Sequence, residues 1–240
     1  VTSANEYAII ATKARTHFYS RSLVVGTIRN RQQKPMKSFL LICTFLFVLN
    51  SSAQTYLGNF SGQIQKGSTV TVNADSSTLR FTFYTPDILR IDLLPSRHSV
   101  IDSSFVVIQN PVNDVPISIH ETDSSLTMAS SNIHIHCQKF PLRFFFSDSV
   151  GRVFLTEPTS GGMSWNREER SVQFSLNKND HFYGTGERGT SLDKRGQRFE
   201  SYNTQVPGYS TPLATMNLNV PFLSTTNGYA LYVDNIFSGQ

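Results

Sequence analysis

An all-β, antiparallel sandwich over residues 54–240 is the fold class that this 240-residue sequence predicts. Three observations predict it. From Gln54 onward apolar residues alternate in short runs broken by turn signals, and no stretch repeats with helical period. The composition is aromatic, with 18 Phe and 9 Tyr, a balance that suits pleated, half-buried surfaces better than helices. Hydrophobic residues make up 39%, enough for a packed core, and with only Cys43 and Cys137 in the chain the part after residue 53 must hold by packing, without an internal disulfide.

Residues 1–35 are mixed, basic and without a clear period, and are expected to form an unstructured upstream extension. Met36-Lys37-Ser38, the apolar run Phe39 to Leu49 and the small residues Asn50 to Ala53 follow the order of a secretory signal peptide over 36–53, with cleavage expected after Ala53. The rival reading, a membrane anchor, is disfavoured because that run falls well short of the ~20 residues a spanning helix needs. Lipid attachment is disfavoured too, since Cys43 follows the bulky Ile42 and sits early in the run. A methionine at 36 rather than at the start points to a mis-set translation start; a long basic leader or a cytoplasmic tail are the alternatives. Either way the mature part is expected in the periplasm or outside the cell.

Within 54–240 the strands are expected in order. Leu79 to Tyr84 places Leu79, Phe81 and Phe83 on one face, Thr85-Pro86-Asp87 turns, and Leu89 to Leu93 repeats the pattern with Arg90 and Asp92 on the other face. Further strands are expected at Phe105 to Gln109, Ile117 to Glu121, Leu126 to Ala129, Ile133 to Lys139, Leu142 to Ser147, Arg152 to Glu157, Val172 to Leu176 and Tyr229 to Val233. Asp148 to Gly151 reads as a hairpin turn. In Phe144-Phe145-Phe146 at least one ring must face outward and needs a cover.

The net charge of +4 would suggest nucleic acid, but residues 1–53 alone carry +6, and in the remainder fourteen basic residues meet sixteen acidic ones. No nucleic-acid partner is expected. Gly184-Thr185-Gly186-Glu187-Arg188-Gly189 matches a dinucleotide fingerprint, but no helix or parallel strand follows it, so its glycines are read as permitting a tight turn. His134, His136 and Cys137, with His120 upstream, could suggest zinc. On a strand, however, the thiol points away from both imidazoles, so no metal site is expected. Glu187, Asp193, Glu200 and Asp234 are the carboxylates available for glycosidase chemistry, yet their spacing fixes no pair, and Glu187 with Arg188, or Asp193 with Lys194 and Arg195, are as well explained as ion pairs.

Phe182-Tyr-Gly-Thr-Gly-Glu-Arg188 resembles the phrase F-Y-G-L-G-E-R that closes the N-terminal sandwich of glycoside hydrolase family 31. Leu192 to Arg198 is similar to that family's L-x-K-R-G-x segment, Tyr202-Asn-Thr-Gln205 to its W-N-T-D, Val220 to Leu223 to its I-P-F, and Gly228 to Asn235 to its G-Y-G-L-F-F-D-N. Weaker upstream phrases are Arg90 to Pro95 and the hairpin Pro141 to Gly151. The resemblance implies a galactose-mutarotase-like β-sandwich packed against a (β/α)8 barrel, which is absent from this chain. It also implies a retaining enzyme of the α-glucosidase type, with an aspartate nucleophile and an aspartic acid/base on the barrel, an α-glucoside or oligosaccharide substrate, and no cofactor. No catalytic residue is therefore expected here.

What the resemblance assigns to the sandwich is a loop over the barrel mouth that shapes sugar subsites, and here it would hold Asn203, Gln205 and Tyr209. Two departures stand out: Tyr202 replaces Trp, and Gln205 replaces an Asp whose carboxylate would accept charge-assisted bonds from sugar hydroxyls. Ala214 to Pro221 lacks the usual D-P-L-Y-K character and resembles transglucosylases of the family. Glucosyl transfer is thus the alternative to hydrolysis, and a free-standing carbohydrate-binding module stacking sugars on Tyr202 and Tyr209 is a second.

Overall fold

The computed structural model describes residues 7–12, 54–95, 104, 106–108, 115–166 and 169–234, and among them there is no helix. The expected signal peptide, 36–53, lies outside the described residues. No helix of the described residues is long and apolar enough to cross a membrane. In chain order the strands are β1 (Tyr7–Thr12), β2 (Thr55–Tyr56), β3 (Phe60–Lys66), β4 (Thr69–Ala74), β5 (Ser77–Thr85), β6 (Ile88–Pro95), β7 (Ser118–Glu121) and β8 (Ser125–Ala129). They continue as β9 (Ile133–Lys139), β10 (Leu142–Asp148), β11 (Val153–Thr156), β12 (Ser164–Trp165), β13 (Arg170–Ser171), β14 (Phe182–Gly184), β15 (Phe222–Thr225) and β16 (Tyr229–Asp234).

These strands form an eight-stranded sheet, β14-β15-β16-β1-β6-β5-β4-β3, a five-stranded sheet, β11-β10-β9-β8-β7, and a small sheet, β13-β12-β2. The two large sheets share one core. The β5–β6 hairpin pairs Leu79 with Leu93, Phe81 with Ile91 and Phe83 with Leu89, and all six are buried. On the other sheet Ile135 pairs with Phe146 and Cys137 with Phe144, again buried. Phe81 and Phe144 meet across the layers with ring centroids 5.2 Å apart. Each such buried side chain contributes roughly 1.5–3 kcal/mol.

The expected turns also bind the layers. At Thr85-Pro86-Asp87 the Asp87 N–H donates to Thr85 Oγ1 at 3.2 Å, Ser130 Oγ donates to the Pro86 carbonyl at 2.8 Å and Asn132 Nδ2 to Asp87 Oδ1 at 2.6 Å. In the hairpin after β10, Asp148 Oδ1 accepts the Arg152 N–H at 2.8 Å while its Oδ2 pairs with Arg152 Nε at 3.0 Å.

Several expectations are corrected. β1 lies inside the extension expected to be unstructured and runs parallel to both β6 and β16, so the large sheet is not purely antiparallel. The two flanking strands offer open backbone edges there, and a short β-branched run satisfies them. Val106 to Ile108 form no strand, because Ser104 Oγ takes the Val106 and Val107 N–H groups at 3.1 and 2.9 Å in a local turn. Val172 to Leu176 is reduced to one bridge, Thr156 to Ser175, with Val172 and Leu176 exposed and only Phe174 packed on the core. Arg90 and Asp92 do face away from the apolar core yet are buried; Asp92 takes Arg90 Nε at 2.9 Å and Arg80 Nε at 3.0 Å. Phe145 is the outward ring of its triplet and stacks on His136, with centroids 4.4 Å apart and 9° between planes.

Candidate functional site

Between β14 and β15 the chain makes its longest excursion outside strands among the described residues, from Thr185 to Pro221, and this loop carries every proposed site residue. It is anchored by a crossed strap. Thr185 N–H donates to the Phe222 carbonyl at 2.8 Å and Glu187 N–H to the Leu218 carbonyl at 2.7 Å. Gly184, Thr185 and Gly186 all have positive φ, at 114°, 71° and 79°. A Cβ on Gly184 or Gly186 would run into the carbonyl oxygens of Phe222 or Leu218, so only glycine permits the crossing. Thr185, β-branched, holds this conformation at a cost of about 1–3 kcal/mol, and its Oγ1 is buried without a partner. The G-x-G-x-x-G match is thus a backbone device.

Arg188 is the hub of the loop. Its Nε donates to the Thr185 carbonyl at 3.0 Å, its Nη1 to the carbonyls of Glu200, at 3.1 Å, and Ala214, and its guanidinium lies 4.9 Å from the Phe199 ring centroid. Burial pulls its pKa below the ordinary arginine value. The expected Glu187–Arg188 pair is therefore replaced by bonds to carbonyls, with Glu187 exposed. Asp193 likewise turns away from Lys194: it accepts from His181 Nδ1 at 2.6 Å and from the N–H groups of Phe182 and Arg195 at 3.1 and 3.0 Å. These bonds, the His181 one foremost, hold its carboxyl at about 2. Arg195 reaches the carbonyls of Asn177 and Asp180 at 2.9 and 2.6 Å.

Asn203 is exposed and is tied across the loop, its Oδ1 accepting the Asn219 N–H at 2.7 Å and Asn219 Nδ2 at 3.2 Å. Gln205 and Tyr209 are exposed, as is Tyr202, the two tyrosines at 52% and 57% for 209 and 202, so both rings can stack on a flat ligand. Of the four candidate carboxylates, Asp193 is committed to the turn, Asp234 is buried on β16 with Oδ2 unpartnered, and Glu187 and Glu200 face solvent. The loop thus offers amide and aromatic groups for recognition, while its one carboxylate with a shifted pKa is tied up in a turn.

Among the described residues no three His, Cys, Asp or Glu side chains could hold a metal ion. Cys137 is buried, with burial raising its thiol pKa well above the ordinary value, whereas His134 and His136 lie on the opposite face with ring centroids 6.3 Å apart.

Residues 78–240 match the Glycosyl hydrolase 31 N-terminal galactose mutarotase-like domain. The chain belongs to that family. Alpha-glucosidase 2 of Bacillus thermoamyloliquefaciens is 30% identical over 169 residues, which are 69% of this chain and 21% of that protein. The chain thus spans about a fifth of the length of the curated relative it matches. Among solved structures, the glycoside hydrolase family 31 dextranase of Flavobacterium johnsoniae complexed with glucose superposes with a TM-score of 0.71 at 20% identity, over 77% of this chain and 23% of that one. The cycloalternan-forming enzyme of Listeria monocytogenes, in complex with a pentasaccharide substrate, gives 0.68 at 22% identity, over 78% and 18%. At such identities these two show the fold, which is the galactose-mutarotase-like sandwich expected.

Two residues with a part in this family member's architecture escaped the sequence. Glu157 is buried where β11 ends, taking the Phe144 N–H at 2.8 Å and the Met163 N–H at 3.0 Å. Burial pushes its carboxyl up to about 7, although those donors and the Arg143 guanidinium pull the other way. Asn219 binds Asn203 across the loop. Glu157 was read only as the end of a strand and Asn219 only as part of Ala214 to Pro221, and both act largely on backbone groups, which leave no mark on side-chain pattern.

Proposed function

We propose that this chain is the non-catalytic N-terminal sandwich of an exported glycoside hydrolase of the α-glucosidase type, acting on α-glucosides or oligosaccharides with retention. The family match over residues 78–240 carries the reading. In it, a catalytic barrel of the same polypeptide supplies both carboxylates, and the sandwich supports that barrel and shapes sugar subsites through Asn203, Gln205 and Tyr209. The exposed tyrosine ring and the amides suit a neutral, polyhydroxylated ligand, for which stacking and paired donor–acceptor bonds do the recognising. Export rests on the signal-peptide pattern of 36–53.

Glucosyl transfer in place of hydrolysis is the second reading, favoured by the resemblance of Ala214 to Pro221 to the family's transglucosylases. At Gln205, where the family phrase has Asp, a neutral amide binds a sugar hydroxyl more weakly than a carboxylate does, which changes the preferred substrate. The test is to translate the gene in frame past Gln240 and assay its full product on maltose, separating glucose release from longer oligosaccharides. A barrel with two suitably placed aspartates, and turnover, is expected. A stop codon directly after Gln240, or a full-length product inert on α-glucosides, would overturn the reading.

A further inference from the structure

The excursion between β14 and β15 has no ladder of its own around residues 202–209, so something else must order its tip. Asn219 is placed to do so. Its backbone N–H donates to Asn203 Oδ1 at 2.7 Å, while its Nδ2 faces Asn203 Oδ1 at 3.2 Å, the Met216 carbonyl at 3.1 Å and the Tyr202 carbonyl. Three acceptors surround one amide nitrogen, which fixes the amide's orientation: the flipped form would set its oxygen against all three.

The other half of that amide is the telling feature. Asn219 Oδ1 is buried with no hydrogen-bond partner, and an orphaned acceptor of this kind is costly. The side chain is thus used as a donor alone, at the expense of its acceptor. The strap holding Asn219 carries a second cost of the same sort, the positive φ of Thr185 with its own unpartnered hydroxyl. Two unfavourable local features meet where residues 184–187 cross 218–222, and strain gathered in one place is the mark of a constrained geometry.

We propose that Asn219 is a positioning residue that sets the loop carrying Asn203, Gln205 and Tyr209 for a glucosyl unit, by clamping Asn203 and the Tyr202 carbonyl. This rests on the reading of the loop as a sugar subsite. Asn219 touches no sugar itself; it fixes the distance and direction from which Asn203 and Gln205 meet the ligand's hydroxyls. Donor character is the essential property, so a side chain of equal size that only accepts should fail as badly as none.

Two variants test this, Asn219→Ala and Asn219→Asp, by hydrogen exchange on the chain and by kinetics of the full-length gene product on maltose. In both variants the loop amides that donate hydrogen bonds, those of Glu187, Leu213 and residue 219, should exchange about tenfold faster, with those of β5, β6, β9 and β10 unchanged. KM for maltose should rise about tenfold with kcat held within about twofold, because the loss is of uniform binding. Wild-type exchange in both variants, or a loosened loop with an unchanged KM, would overturn the proposal. A wild-type product inert on maltose would strike the functional reading instead, and the exchange rates would still decide for or against the clamp.

Discussion

The core hairpins and the loop from Thr185 to Pro221 belong to one chain but are held by different forces. In the hairpins β5–β6 and β9–β10 the alternating residues are buried, and stability comes from apolar area and continuous ladders. In the loop the large residues Leu192, Tyr202, Tyr209 and Leu218 are exposed, and order comes from side chains gripping carbonyls: Arg188, Arg195 and Asn219. The contrast teaches where recognition can reside. A core that buries its aromatic rings leaves none for a ligand, whereas a loop held by polar bonds to its backbone can leave its rings free.

The sharpest way to break the comparison is to cut the core. Phe144→Ala should lower unfolding free energy by about 3–5 kcal/mol in urea titration, while Tyr209→Ala should change it by less than about 0.5 kcal/mol. Equal effects would mean that Tyr209 is part of the packing and is no free platform.

A smaller effect comes from Glu157, which joins β10 to the segment after β11. Its folded value of about 7 stands above the ordinary 4.5, so folding takes up a proton between those limits. That contribution is fully present below pH ~4.5 and is lost as pH rises through ~7, a swing on the order of 3 kcal/mol. His136, whose pKa burial lowers, acts in the opposite sense on the acid side, so the comparison must be with Glu157→Gln. That variant should flatten the decline between about pH 5 and 8 in urea titrations. A wild-type profile in the variant would assign the slope elsewhere.

Much of the core was legible in the sequence because a period of two reports directly which face is buried: β5, β6, β9 and β10 were found within two residues at each end. β3 was not, since Phe60–Lys66 is a largely polar edge strand with a bulge between Phe60 and Gly62, so its pattern carries little information. Val172 to Leu176 misled for the converse reason: its alternation is real, but only Phe174 finds the core. In the loop, the phrases from Phe182 onward located the strap and the tip, because glycines at positive φ and a hub arginine leave fixed letters. The partners of Arg188 and Asp193 were misread as neighbouring charges, when the structure supplies carbonyls and His181. The role of Asn219, within the stretch Ala214 to Pro221, was not legible, for its bond to Asn203 spans sixteen residues and its other acceptors are backbone.

The most direct test of this contrast is native-state hydrogen exchange of the full-length gene product, resolved by residue. Amides of β5, β6, β9 and β10 are expected to open only with global unfolding, while those of residues 200–219 open locally at a lower free energy and slow down when maltose is added. A loop as protected as the core without ligand, or one indifferent to maltose, would contradict it.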